Sequence, residues 1–231
     1  MTTDLDSLDT VVDAVVALNP GPRKTRWGSI SLCILDAVWS IAAHYDRVVD
    51  PLVRAFADAN GIERPVISVD DQPLEDPYPC SRLASLEVEA LLAVTNRQRT
   101  STRSGITKAE ASIRYAEILS ANSIETLADA SALLTRPEDL ERVDTALAEV
   151  PGDGAHGVRR GYLWMLVGDS DRIKPDRMIL KWFGKTLSHH VTPTEATEIL
   201  CAASPICSER LGRTVTAWDI DHAIWLHARA V

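Results

Sequence analysis

Cysteine is scarce in this chain. There are four, at positions 33, 80, 201 and 207, and no two form a C-x-x-C pair. Their spacings match neither a zinc site nor a thiol redox motif. Cys33 and Cys201 lie in apolar helical patterns and read as core residues. Histidine offers no better metal site: His189 and His190 are adjacent, and His222 and His227 stand five apart, on different faces of a helix. No metal ligand set is therefore expected. No apolar run approaches the length of a membrane span, so no membrane partner is expected. The N-terminus, MTTDLDSLDT, is acidic and lacks an early basic cluster, which argues against a signal or transit peptide. The expected compartment is the cytoplasm. Strand alternation and internal repeats are also missing.

What remains is helical. The 231 residues, 45% of them hydrophobic, suit one large or two small domains. Residues 5–18 form a short amphipathic helix ended by Asn19-Pro20-Gly21-Pro22. Residues 29–44 are apolar almost all round, which predicts a central, buried helix. A further helix covers 46–59, with Pro51 marking its start or a kink. Residues 61–84 hold four prolines and four acids between 70 and 76, and predict a long surface loop. Helical spacing resumes over 85–94, 107–121, 125–134, 138–149, 176–187, 194–202 and 216–229. The expected fold class is all-α.

Net charge is −9, which argues mildly against a polyanionic partner. Its distribution is uneven. The first twenty residues carry four Asp and no base, whereas residues 97–114 hold Arg97, Arg99, Arg103, Lys108 and Arg114 against Glu110 alone. Residues 159–185 hold seven bases against three Asp. Each cluster is compatible with a nucleic-acid face, but a solvated helix surface is the default reading for each taken singly.

The most informative stretch runs from Ala148 to Lys181. An apolar turn leads into Pro151-Gly152-Asp153-Gly154, and a helical pattern through Tyr162, Leu163, Leu166 and Val167 follows. Gly152 and Gly154 allow positive φ and a close backbone approach. The helix after them has unpaired N–H groups in its first turn, a place for a phosphate oxygen. Arg159 and Arg160 add charge nearby. The same glycines would serve an ordinary turn between two helices. Asp176, after Pro175 and before the apolar-periodic run Met178, Ile179, Trp182, Phe183, has two readings as well. It is a preferred helix N-cap, and it is a carboxylate able to activate water or stabilise an oxocarbenium-like sugar.

In this order the segments resemble the endonuclease III-like branch of the helix-hairpin-helix DNA glycosylases. LCILDAVWSIAAHYDRVV resembles the family's buried helix and the turn after it. TKAEASIRYAEIL resembles its K-A-E helix, LAEVPGDG its L-P-G-x-G hairpin, PDRMILKW its catalytic-Asp segment and IWLHAR its L-x-L-H-G-R helix. The resemblance implies a two-domain fold with a central cleft that takes the flipped base. Residues 29–168 would form a six-helix barrel-like domain carrying the hairpin at 147–167, and residues 1–28 plus 169–231 a second helical domain. It implies double-stranded DNA as partner, with Gly152, Gly154, His156, Gly157, Arg159 and Arg160 gripping the backbone. Asp176 would be the catalytic residue, and His44 and Tyr45 would serve as wedge or base-pocket residues. The alternative for His44 and Tyr45 is packing in the interdomain seam. A monovalent cation at the hairpin is also in keeping with the resemblance.

Three departures shape the expected chemistry. The family's Schiff-base Lys would fall at His156 or Gly157, and no Lys lies between 109 and 173, so strand cleavage by that route is not expected. No cysteine quartet follows His227, so no iron–sulfur cluster is expected. The usual wedge Gln is absent near Ala43-His44-Tyr45, and the family's His two residues after the Asp is Met178. The expected activity is monofunctional N-glycosylase. The alternatives are a DNA-binding protein on the same fold that has lost catalysis, and an unrelated helical interaction domain.

Overall fold

A helix made of ISLCILDAVW is apolar on every side and must be surrounded rather than laid on a surface. In the computed structural model it is buried at all ten positions, Ile30–Trp39. The structure describes residues 5–71, 75–103, 105–153 and 157–230. The described chain is mostly helical, with twelve α-helices and one two-stranded sheet, and it divides into two compact units.

The unit Lys24–Gly168 contains, in order, β1 (Thr25–Trp27), α2 (Ile30–Trp39), a π-helical turn (Tyr45–Val49), α3 (Asp50–Ala59), β2 (Val66–Ser68), α4 (Cys80–Ala84), α5 (Val88–Val94), α6 (Lys108–Ala121), α7 (Leu127–Leu133), α8 (Pro137–Ala148) and α9 (Val158–Val167). Helix α2 packs against α3, α4, α6 and α9. The strands pair antiparallel, Thr25 opposite Ser68 and Trp27 opposite Val66. Three residues per strand are too few for an alternating pattern to register, so this sheet is not legible from periodicity. The other unit, Met1–Arg23 with Asp169–Val231, packs α1 (Leu5–Leu18), α10 (Arg177–Leu187), α11 (Pro193–Leu211) and α12 (Ala217–Ala230) around Val11, Val15, Trp182, Phe183, Leu200 and Ile224.

Burying α2 whole obliges the protein to satisfy both of its ends. At the start, Ser29 Oγ accepts from Ser31 N, and Asp76 Oδ2 accepts from Ile30 N at 2.9 Å. The same oxygen accepts from Leu127 N at 2.9 Å, so one carboxylate caps both α2 and α7. At the far end the Lys108 ammonium, 2% exposed, donates to the carbonyls of Trp39 (3.0 Å) and Ile41 (2.7 Å) and to Gln98 Oε1 (3.1 Å). A cation there also opposes the negative end of the helix dipole. In the middle, buried Asp36 accepts from Trp27 Nε1 (2.7 Å), Ser40 Oγ (2.8 Å) and Tyr45 Oη (3.0 Å).

Several sequence expectations are corrected. Helix α2 ends at Trp39 rather than near residue 44, because the chain turns through Ala42 at φ +53° and re-enters as the π-helical turn. Pro51 lies in the first turn of α3, where a missing N–H costs nothing. Residues 61–84 are not a surface loop throughout. They supply β2 and α4 and bury Ile62, Ile67, Tyr78, Cys80 and Leu83. Helix α11 runs through Pro205 to Leu211, nine residues past its expected end. Along that longer helix Cys207 is the buried thiol and Cys201 is exposed, reversing the expectation for Cys201.

Asp76→Ala removes the acceptor for three N–H groups, those of Ile30, Leu127 and Tyr78. The expected loss is about 2–4 kcal/mol, read from urea unfolding. A loss under about 0.5 kcal/mol would mean water replaces the carboxylate without cost.

Candidate functional site

The hairpin is built in the unit Lys24–Gly168, between α8 and α9. Gly152 has φ +82°, and a Cβ there would collide with Cβ and Oγ1 of Thr100. The close approach that this glycine permits is therefore taken up by the protein's own Thr100. Gly157 has φ +67° and is the N-cap of α9. Gly154 and His156 lie outside the described residues.

Arg159 was expected to reach DNA phosphates. It is 0% exposed instead. Its Nη2 donates to Val150 O at 2.6 Å, Nη1 to Pro151 O at 3.3 Å and Nε to Tyr115 Oη at 2.8 Å, and the guanidinium lies 4.7 Å from the Tyr115 ring centre. Carbonyls that turn inward at a tight hairpin need donors, and a side chain in the first turn of α9 supplies them. The same guanidinium occupies the carbonyls of Val150 and Pro151, and its charge would repel a cation at those two oxygens.

Arg160 is also engaged. Its Nε bonds Asp153 Oδ2 at 2.8 Å and its Nη1 bonds Asp144 Oδ2, while Asp144 Oδ1 accepts from Trp164 Nε1 at 2.6 Å. Arg159 and Arg160 thus hold the hairpin together, and the expectation that their charge meets phosphate is corrected. The backbone N–H groups at the start of α9 are reduced too, since Arg159 N donates to Asp153 O at 3.3 Å.

His44 is exposed, and its carbonyl accepts from Val48 N to open the π-helical turn. Tyr45 is half-buried and spends its hydroxyl on Asp36; burial and then that neighbouring carboxylate raise its pKa above the usual phenol value. Stacking Tyr45 on a base would forfeit the Asp36 bond.

Asp176 lies in the other unit, at the start of α10. Its Oδ1 accepts from Met178 N at 2.7 Å and Ile179 N at 3.2 Å, making it the N-cap the sequence allowed. Oδ2 takes no hydrogen bond among the described residues. The preceding turn is tight, with Asp176 N donating to Lys174 O at 2.6 Å, and it is pinned by Asp221 of α12, whose Oδ1 accepts from Lys174 N at 3.0 Å. Asp221 is buried. Burial, and then the negative charge of Asp176, push its pKa up to about 7, while the Lys174 amide and ammonium oppose the rise. Asp176 and Asp221 thus flank one turn. Sequence reading missed Asp221, because one Asp among several on an amphipathic helix carries no mark of its burial.

A second feature went unremarked. Trp218 and His222 stack at 4.8 Å, His222 and Trp225 at 6.0 Å, with Arg23 over Trp218 and Arg229 over Trp225. Positions 218, 222, 225 and 229 share one helical face, a spacing legible in the sequence. Burial, and then Arg23, lower the His222 pKa, which keeps the ring neutral between the two indoles. Among the described residues, no group of three or more His, Cys, Asp or Glu is placed to hold a metal ion, and no helix is long and apolar enough to cross a membrane.

The structure defines a mostly helical protein of two units, with a glycine hairpin in one and a helix-capping carboxylate beside a buried acid in the other. The chain belongs to the DUF8548 family, a domain of unknown function whose model matches residues 6–229. No curated protein and no solved structure matches it.

Two expectations follow. Arg159→Met strips two hairpin carbonyls and Tyr115 of their donor and should cost about 3 kcal/mol in denaturant unfolding. Asp221, with a folded pKa raised above its unfolded value, stabilises the fold while protonated, and that contribution is lost as pH rises from about 4 to about 7. Asp221→Asn keeps the Lys174 contact without ionising. The variant should match the wild type near pH 4 and exceed it near pH 8 by on the order of 2–4 kcal/mol, in thermal melts across pH. Parallel curves would show that Asp221 ionises freely.

Proposed function

We propose that this protein acts on double-stranded DNA as a monofunctional N-glycosylase, hydrolysing the glycosidic bond of a damaged or mispaired base. The observation that carries the reading is the state of Asp176. One oxygen is locked by the α10 amides and the other is left without a hydrogen bond among the described residues. A carboxylate fixed in this way is oriented in advance, and its second oxygen can accept a proton from water or stand against positive charge on a sugar. The reaction bonds the water oxygen to the anomeric carbon and breaks the carbon–nitrogen bond. One water proton stays on the new anomeric hydroxyl, and the other passes to Asp176 and from there to the departing base nitrogen.

The arrangement of the chain also supports the reading. A glycine hairpin, the helix α9 and an Asp at the start of α10 follow one another in the order the resemblance implies. The unit Lys24–Gly168 is flanked in sequence by the two segments that form the other unit, the same kind of division as in that family's proposed plan. With Arg159 and Arg160 engaged, backbone groups rather than arginines would hold phosphate at the hairpin. No lysine lies between residues 109 and 173, where the family's Schiff-base Lys would fall, so the expected product is an abasic site in an unbroken strand.

One observation favours a second reading. Asp176 is already a complete helix cap, a role that needs no chemistry. On this reading the protein binds DNA without releasing a base.

Asp176→Asn separates the two, because Asn also caps helices but cannot take the proton. Wild type should release a base from at least one of a panel of lesion or mismatch duplexes without nicking the strand, and the variant should be slower by about 10²-fold or more. Equal turnover would remove Asp176 from the mechanism. Salt-sensitive binding without release would favour the second reading, and no duplex binding would leave a helical interaction domain.

A further inference from the structure

The seven bases between residues 159 and 185 do not form one surface. Arg159 is buried, Arg160 is bridged to two aspartates, and Arg172 pairs with Asp169 at 2.7 Å. Most of the cluster at 97–114 is similarly spent: Lys108 is buried, Arg97 pairs with Glu89, Arg114 pairs with Glu110, and Arg99 donates to Gly105 O, while Arg103 is exposed. Three other bases stand in a line. Arg177, Lys181 and Lys185 are exposed, stand four residues apart along α10, and make no ion pair among the described residues. The helix itself contains no acid, and its opposite face is buried through Ile179, Trp182 and Phe183. In a chain with 33 acids against 24 bases, a row of three exposed cations without an ion pair among the described residues is out of keeping with its surroundings.

We propose that the outer face of α10, Arg177, Lys181 and Lys185, is a track that binds the phosphodiester backbone of duplex DNA. The proposal rests on the DNA reading of Asp176, which caps the same helix. Charge complementarity selects the partner. The row spans about 12 Å of helix axis at about 1.5 Å per residue. One DNA strand carries a charge every ~3.4 Å of its axis, so three cations on that length can each meet a phosphate. Such contacts set position and orientation but read no base. The track would lead the backbone to the end of α10 where the carboxylate stands, and it would supply the charge that Arg159 and Arg160 do not.

The test is the salt dependence of duplex binding, followed by fluorescence anisotropy from about 50 to about 300 mM salt. R177Q/K181Q/K185Q changes only exposed side chains, and thermal melts verify its fold. The slope of log K against log salt should fall in magnitude by about 2–3, at roughly 0.9 per phosphate lost, and binding at low salt should weaken at least about tenfold. R97Q/R114Q removes two bases already held in ion pairs and should change neither quantity. If the wild type binds duplex and the α10 variant binds it with the same slope, the track is wrong while the DNA reading stands. An equal loss in both variants would show general charge attraction and also overturn the track. If the wild type binds no duplex but binds vesicles containing phosphatidylserine, both the track and the DNA reading fail.

Discussion

A helix buried along its whole length is the constraint on which the larger unit depends. Helix α2 cannot leave its terminal N–H and C=O groups to water, so charged groups are carried inward to meet them. Asp76 closes one end and Lys108 the other, and Asp36 ties the middle to Trp27 and Tyr45. Each of these groups also binds a second segment. Asp76 joins α2 to α7, Lys108 joins α2 to α6 and Gln98, and Asp36 brings in β1 and the π-helical turn. The apolar contacts around α2 favour compactness, whereas these polar pins decide which segments meet.

The hairpin follows the same economy. Two adjacent arginines look like a phosphate grip in a linear reading. In the fold, one satisfies carbonyls that a tight turn forces inward, and the other joins Asp153 to Asp144. A cation with two carboxylates nearby has little field left to offer an anion. Much of the chain's basic charge is used in this way, so the unpaired row on α10 stands out.

Asp176 shows how one residue can serve two ends. Capping uses a single oxygen and fixes the carboxylate's direction, which leaves the second oxygen oriented but uncommitted. Asp221 holds the turn beneath it through the Lys174 amide, and two close acids cannot both ionise without cost. Burial and the nearby Asp176 charge together raise the pKa of Asp221.

Local features were legible in the sequence. Helix α1 and the first turn of α3 follow from periodicity and from Pro51, and Asp176 before an apolar-periodic run marked the start of α10. Each depends on neighbours within about one helical turn, which a linear pattern records. Only the tertiary structure decided that Arg159 points inward, that residues 75–84 enter the core, that Asp221 holds a proton toward neutrality and that Cys207 rather than Cys201 is buried. Most of those outcomes involve contacts between residues 40 or more positions apart, such as Arg159 with Tyr115, Asp76 with Ile30 or Asp221 with Lys174. Composition and periodicity fix what a residue can do; the company it keeps across the fold determines which of those capacities it uses.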